Sequence, residues 1–149
     1  MDLRVQGAEQ LVRVSKALKG APKELRSALT KGITRAVKPL KKSAKAEARS
    51  SLPRSGGLGR RVAKTKLPHR RRATGKAAGV RVLAQPGAVA DPKRIDRGRV
   101  RHPTFGRGPW VLQDVKPGWF SRPMKEGAPQ VRKELVQAMD DVARKIVRS

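Results

Sequence analysis

The chain has 149 residues, and 37 Lys and Arg against 11 Asp and Glu leave it a formal charge of +26 at neutral pH, a balance that points to an anionic partner and says nothing of fold. It has no cysteine, which excludes a disulfide framework and any thiolate metal site. No apolar run approaches the roughly 18–20 residues of a membrane span, and Met1-Asp2-Leu3-Arg4 lacks a signal peptide's apolar segment, so a soluble protein made in the cytoplasm is expected.

Leu3 and Val5 alternate with Arg4 and Gln6 before Gly7, the pattern of a short half-buried strand. From Ala8 to Leu18 the apolar positions Leu11, Val12, Val14 and Leu18 share one helical face, and Lys19-Gly20 supplies the stop. A second helix opens at Pro22, a residue suited to the first helical position. Its stripe is Leu25, Ala28, Leu29, Ile33, Ala36, Val37, Leu40, Ala44 and Ala48, opposite a face of Lys and Arg. Pro39 falls inside it and is expected to kink or split it.

Ser50 to Gly59 reads as a loop, with Pro53 and Gly56-Gly57. Val62 with Lys64 to Leu67, then Gly79 to Leu83, read as two arms of a ribbon joined by a basic tip, and Gln85 to Arg101 as an extended connection ordered by its neighbours. Every aromatic falls between Phe105 and Phe120. Trp110 to Val115 is expected to form a strand, and Pro117-Gly118 a turn that delivers Trp119-Phe120 into a packed position. Ser121 is read as the cap of a last helix with Pro123 in its first turn. Its stripe is Met124, Ala128, Val131, Leu135, Ala138, Met139, Val142 and Ile146, and Arg144, Lys145 and Arg148 complement the helix dipole.

These elements predict one α+β domain over residues 1–149: a small antiparallel sheet on two or three helices, a long basic ribbon and connection over 50–101, and an amphipathic helix over 121–148. A domain of this size buries about 68–70% of the surface its unfolded chain exposes. With 37% apolar and 3% aromatic residues the core is lean, and part of the chain is expected not to bury itself alone.

The charge is concentrated as well as abundant. Between Ala48 and Ala90 there is no Asp or Glu. Arg60, Arg61, Lys64, Lys66, Arg70, Arg71, Arg72 and Lys76 lie in that stretch and are the candidates for sequence-indifferent contact with a nucleic-acid backbone. The plain alternative is a solvated or protein-facing surface that pairs with acidic neighbours. Phe105, Trp110, Trp119 and Phe120 are read as core or subunit contacts, ahead of stacking platforms for single strands, because they cluster with Val and Leu.

Nothing in the sequence points to catalysis, a metal or a cofactor. His69 and His102 have no carboxylate or second histidine at ligand or relay spacing, and His102-Pro103 reads as a packed turn. Ser55-Gly56-Gly57-Leu58-Gly59-Arg60-Arg61 lacks the Gly-Lys-Ser or Gly-Lys-Thr of a phosphate loop and reads as a turn. Asp140-Asp141 occupy consecutive helical positions and cannot converge on one bond, which leaves solubility or an intersubunit salt bridge.

The order of these features resembles the small tail-completion or head-to-tail joining proteins of long-tailed double-stranded DNA phages. The matching pieces are the opening strand and Gly7, the basic second helix ending at Ser55-Gly56-Gly57-Leu58, His102-Pro103-Thr104-Phe105-Gly106, Trp110-Val111-Leu112-Gln113, and Pro117-Gly118-Trp119-Phe120 entering the last helix. The resemblance implies a homo-oligomeric ring, a hexamer or other closed ring, in the neck of the virion. Its partners would be portal, adaptor or stopper proteins on the head side and the tail terminator or tail tube on the other, with genomic double-stranded DNA in the lumen. No membrane and no cofactor are implied, and assembly would occur in the host cytoplasm. Arg60 to Arg81 is more basic than in a typical member. The alternative is a ribosomal- or chromatin-type nucleic-acid-binding protein with flexible basic tails around a small core. A nucleic-acid enzyme is the third reading, and it lacks the carboxylate cluster of a two-metal site.

Overall fold

The computed structural model describes residues 13, 16–20, 22–72, 79–103 and 106–148. The opening strand, most of the first helix and the ribbon tip lie outside the described residues. The elements are α1 (Lys23–Ser51), a 3-10 turn (Ser55–Gly57), α2 (Leu58–Ala63), β1 (His69–Arg72), β2 (Gly79–Val82), α3 (Pro92–Asp96), β3 (Arg99–Pro103), β4 (Trp110–Asp114) and α4 (Ser121–Val147). The fold is α+β. Among the described residues two sheets stand in place of the expected one, each an antiparallel pair, β1 with β2 and β3 with β4.

Contacts within the chain group into two compact units, both discontinuous in sequence. One draws on Met1–Pro39, His69–Leu83 and Glu126–Ser149, the other on Leu40–Pro68 and Ala84–Lys125. The predicted stripes of both long helices are largely buried: Leu29, Ile33, Ala36, Val37, Leu40, Ala44 and Ala48 on α1, and Met124, Ala128, Val131, Leu135, Met139 and Val142 on α4. Burial on both sides of each proline overrides the cost of a missing backbone bond. The expected split at Pro39 therefore does not occur, and α4 likewise runs unbroken through Pro129.

In the first unit, Gly32 marks a close approach of α1 to α4. A Cβ there would lie 2.7 Å from Ala138 Cβ, closer than two carbon atoms tolerate. The ribbon exists, but its first arm is His69–Arg72 and not the residues from Val62 to Leu67. Val62 and Ala63 are buried in α2 instead. Val80 and Val82 turn inward from β2 while Arg81 turns out, directly opposite Arg70.

The second unit is organised around α3, in the stretch expected to be extended. Asp91 caps this helix by accepting from Arg94 N at 2.9 Å, and Pro92 takes the first helical position. The helix ends at Gly98, whose φ of 89° and whose neighbour, the Val115 carbonyl 2.9 Å from a would-be Cβ, both require glycine. The turn at Pro117-Gly118 then delivers Trp119 and Phe120 into the core as predicted, with their rings 5.6 Å apart. The buried Trp119 Nε1 donates to the Pro92 carbonyl at 3.2 Å. The acceptor at the head of α4 is not Ser121 but Asp96, whose Oδ1 takes the backbone N–H of Phe120 at 2.8 Å and of Ser121 at 2.9 Å. The predicted loop from Ser50 to Gly59 is also more helical than its composition suggests, since α1 extends to Ser51 and Gly59 is buried in α2.

Two substitutions test these contacts by chemical denaturation. Gly32→Ala is expected to destabilise the protein by roughly 1–3 kcal/mol through overpacking, with part of the loss restored by adding Ala138→Gly. An unchanged midpoint would show that the helices do not meet there. Asp96→Ala is expected to cost about 2 kcal/mol, the scale of hydrogen bonds to a charged acceptor, and Asp96→Asn less because an acceptor oxygen remains.

Candidate nucleic-acid interface and exposed hairpin

Six of the eight candidate cations have described side chains, and all six are exposed: Arg60, Arg61, Lys64, Lys66, Arg70 and Arg71. Arg72 closes β1 with its side chain outside the described residues, and Lys76 lies outside them altogether. Arg60 and Arg61 stand on α2, and Lys64 and Lys66 in the segment that follows it, all in the second unit. Arg70 and Arg71 stand on β1 in the first unit. Two groups are thus described, one in each unit.

Among the described residues none of the six pairs with a carboxylate. Several acidic groups are engaged elsewhere. Glu47 holds Arg122 at 3.0 Å and Lys116 at 3.9 Å, Asp91 holds Arg94 at 3.5 Å, and Asp141 holds Arg144 at 2.8 Å. For Asp141 this means a pairing within its own helix. In the ribbon, Arg70 opposes Arg81 in register. Like charges directly opposite are destabilising by themselves.

The aromatics divide sharply. Trp119 and Phe120 are core residues, whereas Trp110 is 61% exposed and takes no part in the core. Phe105 lies outside the described residues. Trp110 opens β4, and all five residues of that strand are exposed, including Leu112 at 56%. Its partner β3, absent from the sequence reading, sets Arg101 opposite Leu112 and Pro103 opposite Trp110. The Arg101 guanidinium lies 5.7 Å from the centre of the Trp110 ring, a cation–π distance. His102 sits in this strand and not in a turn, with Nε2 3.0 Å from Gln113 Oε1. The hairpin thus exposes Trp110, Leu112 and Arg101, and of these Trp and Arg are residue types that anchor interfaces.

His69 stands on β1 with Nε2 3.4 Å from Thr34 Oγ1. The glycines of Ser55–Gly57 adopt φ of 65° and 66°, as a turn requires. Among the described residues no group of three or more His, Asp or Glu side chains gathers, and no helix is long and apolar enough to cross a membrane.

What sequence reasoning missed had weak signals. Asp91-Pro92 is a helix-start signature inside a stretch that carries no apolar periodicity. In β3 only Val100 alternates with polar residues, too little for a strand pattern. No family model matches the chain, and neither a curated protein nor a solved structure matches it.

Proposed function

We propose that this chain is a non-enzymatic structural protein of the neck of a long-tailed double-stranded DNA phage. Copies of it form a ring that joins the head connector to the tail and lines part of the DNA channel. The observation that carries this reading is the β3–β4 hairpin, a two-stranded ribbon whose outer strand exposes Trp110, Val111 and Leu112. Such a ribbon is marginal in water without a third strand or a packed surface. Its open edge is a template for another chain, and a contact repeated head to tail between identical copies forms a ring where the rotation between neighbours closes and a filament where it does not.

The cations complete the picture. Exposed Arg and Lys without carboxylate partners suit a conduit that meets phosphates and reads no bases. The phage assignment itself draws on the order of sequence features, from the basic second helix to Pro117-Gly118-Trp119-Phe120. Portal, adaptor or stopper proteins above, and the tail terminator or tube below, belong to the same proposal.

Sedimentation of the purified chain tests it. The wild type is expected to form a discrete closed oligomer, and Trp110→Ser with Leu112→Ser to dissociate it without altering the far-UV circular dichroism, because both residues lie outside the core. A wild-type chain that stays monomeric and binds structured RNA tightly would replace the ring with the ribosomal- or chromatin-type reading.

A further inference from the structure

The cations singled out by sequence begin at Arg60, yet the second unit carries another set on the helix before them. Lys42, Lys45 and Arg49 recur at i, i+3 and i+7 on α1 and therefore share one face. That face lies roughly opposite the buried Leu40 and Ala44. Lys42 and Arg49 are exposed and Lys45 is half-buried. Glu47 is the only carboxylate between Leu40 and Pro68, and Arg122 and Lys116 hold it. Beside this face, the pKa of Lys41 is lowered below its ordinary value, first by burial and then by the charge of Lys45.

A glycine brings α2 against this helix. A Cβ on Gly59 would lie 2.7 Å from the Ala48 carbonyl oxygen and 3.4 Å from Arg49 Cα, so only the bare backbone fits. Arg60 and Arg61 follow immediately, exposed, within about 4 and 8 Å of chain from that contact.

We propose that Lys42, Lys45 and Arg49 of α1, with Arg60 and Arg61 of α2, form one surface that binds the phosphate backbone of duplex nucleic acid. The choice of duplex rests on the conduit reading above. The surface itself rests on charge complementarity and on the seat of α2 against α1. From Lys42 to Arg49 the face covers about 10 Å, the axial rise of about three phosphates on one strand. Contacts of this kind position a duplex and do not read its sequence.

The test is fluorescence anisotropy of a labelled duplex of arbitrary sequence over a NaCl series, using the full chain. The variant Lys42→Gln/Lys45→Gln/Arg49→Gln is expected to lower the magnitude of the log K against log salt slope by about 2–3 and to weaken low-salt binding about tenfold or more. The charge-keeping variant Lys42→Arg/Lys45→Arg/Arg49→Lys is expected to retain both, which separates loss of charge from loss of fold. A triple Gln variant with wild-type slope and affinity overturns this surface and leaves the conduit reading standing. If that variant keeps duplex binding but loses binding to polyglutamate, the surface grips acidic protein instead, and the proposal fails. A wild-type chain that binds no duplex at any salt concentration overturns both.

Discussion

The carboxylate of Asp96 accepts two backbone N–H groups at the head of α4, and much of the second unit is arranged around it. The same residue accepts Gly118 N at its own carbonyl at 2.8 Å, which fixes the turn that seats Trp119 and Phe120. Trp119 in turn reaches the carbonyl of Pro92, the first residue of the helix that Asp96 ends. One short helix therefore positions the start of a long one and the largest side chain of the core. An unpaired helix terminus costs more than the bonds that satisfy it return.

Scarcity makes the choice of acceptors informative. With 11 acidic residues against 37 basic ones, each carboxylate assigned to a structural task is one fewer to neutralise the surface. Glu47 is turned to Arg122 and Lys116, Asp91 to the first turn of α3, and Asp141 to its own helix. The exposed cations of α2 and β1 are left to solvent and to whatever anion approaches. Such a surface lowers the stability of the isolated chain and raises its affinity for polyanions, two expressions of one electrostatic field.

The long helices were legible because burial with a period of three and four residues leaves a mark that few other structures produce. The turn at Pro117-Gly118 and the burial of Trp119 were legible for a similarly local reason. The two-sheet arrangement was not, because β1 is composed of His69, Arg70, Arg71 and Arg72 and carries no apolar alternation. Its strand character comes from pairing with Val80 and Val82, whose inward faces supply the burial. The site was legible as charge and illegible as geometry. Arg60 and Arg61 could be picked out from composition. The seat of Gly59 on Ala48 and Arg49, which sets them beside other cations, depends on a contact between residues that no pattern links.

The interleaving of the two units dictates an order of events during synthesis. The first unit takes residues from before Pro39, from the β1–β2 ribbon and from beyond Glu126. The α1 face at Gly32, which meets Ala138 of α4, therefore waits uncovered until α4 has left the ribosome. Distant pairing of this kind slows folding and prolongs exposure of the nascent chain. During that interval a strongly cationic, half-folded polypeptide sits next to ribosomal RNA, the nearest polyanion its exposed side chains can meet.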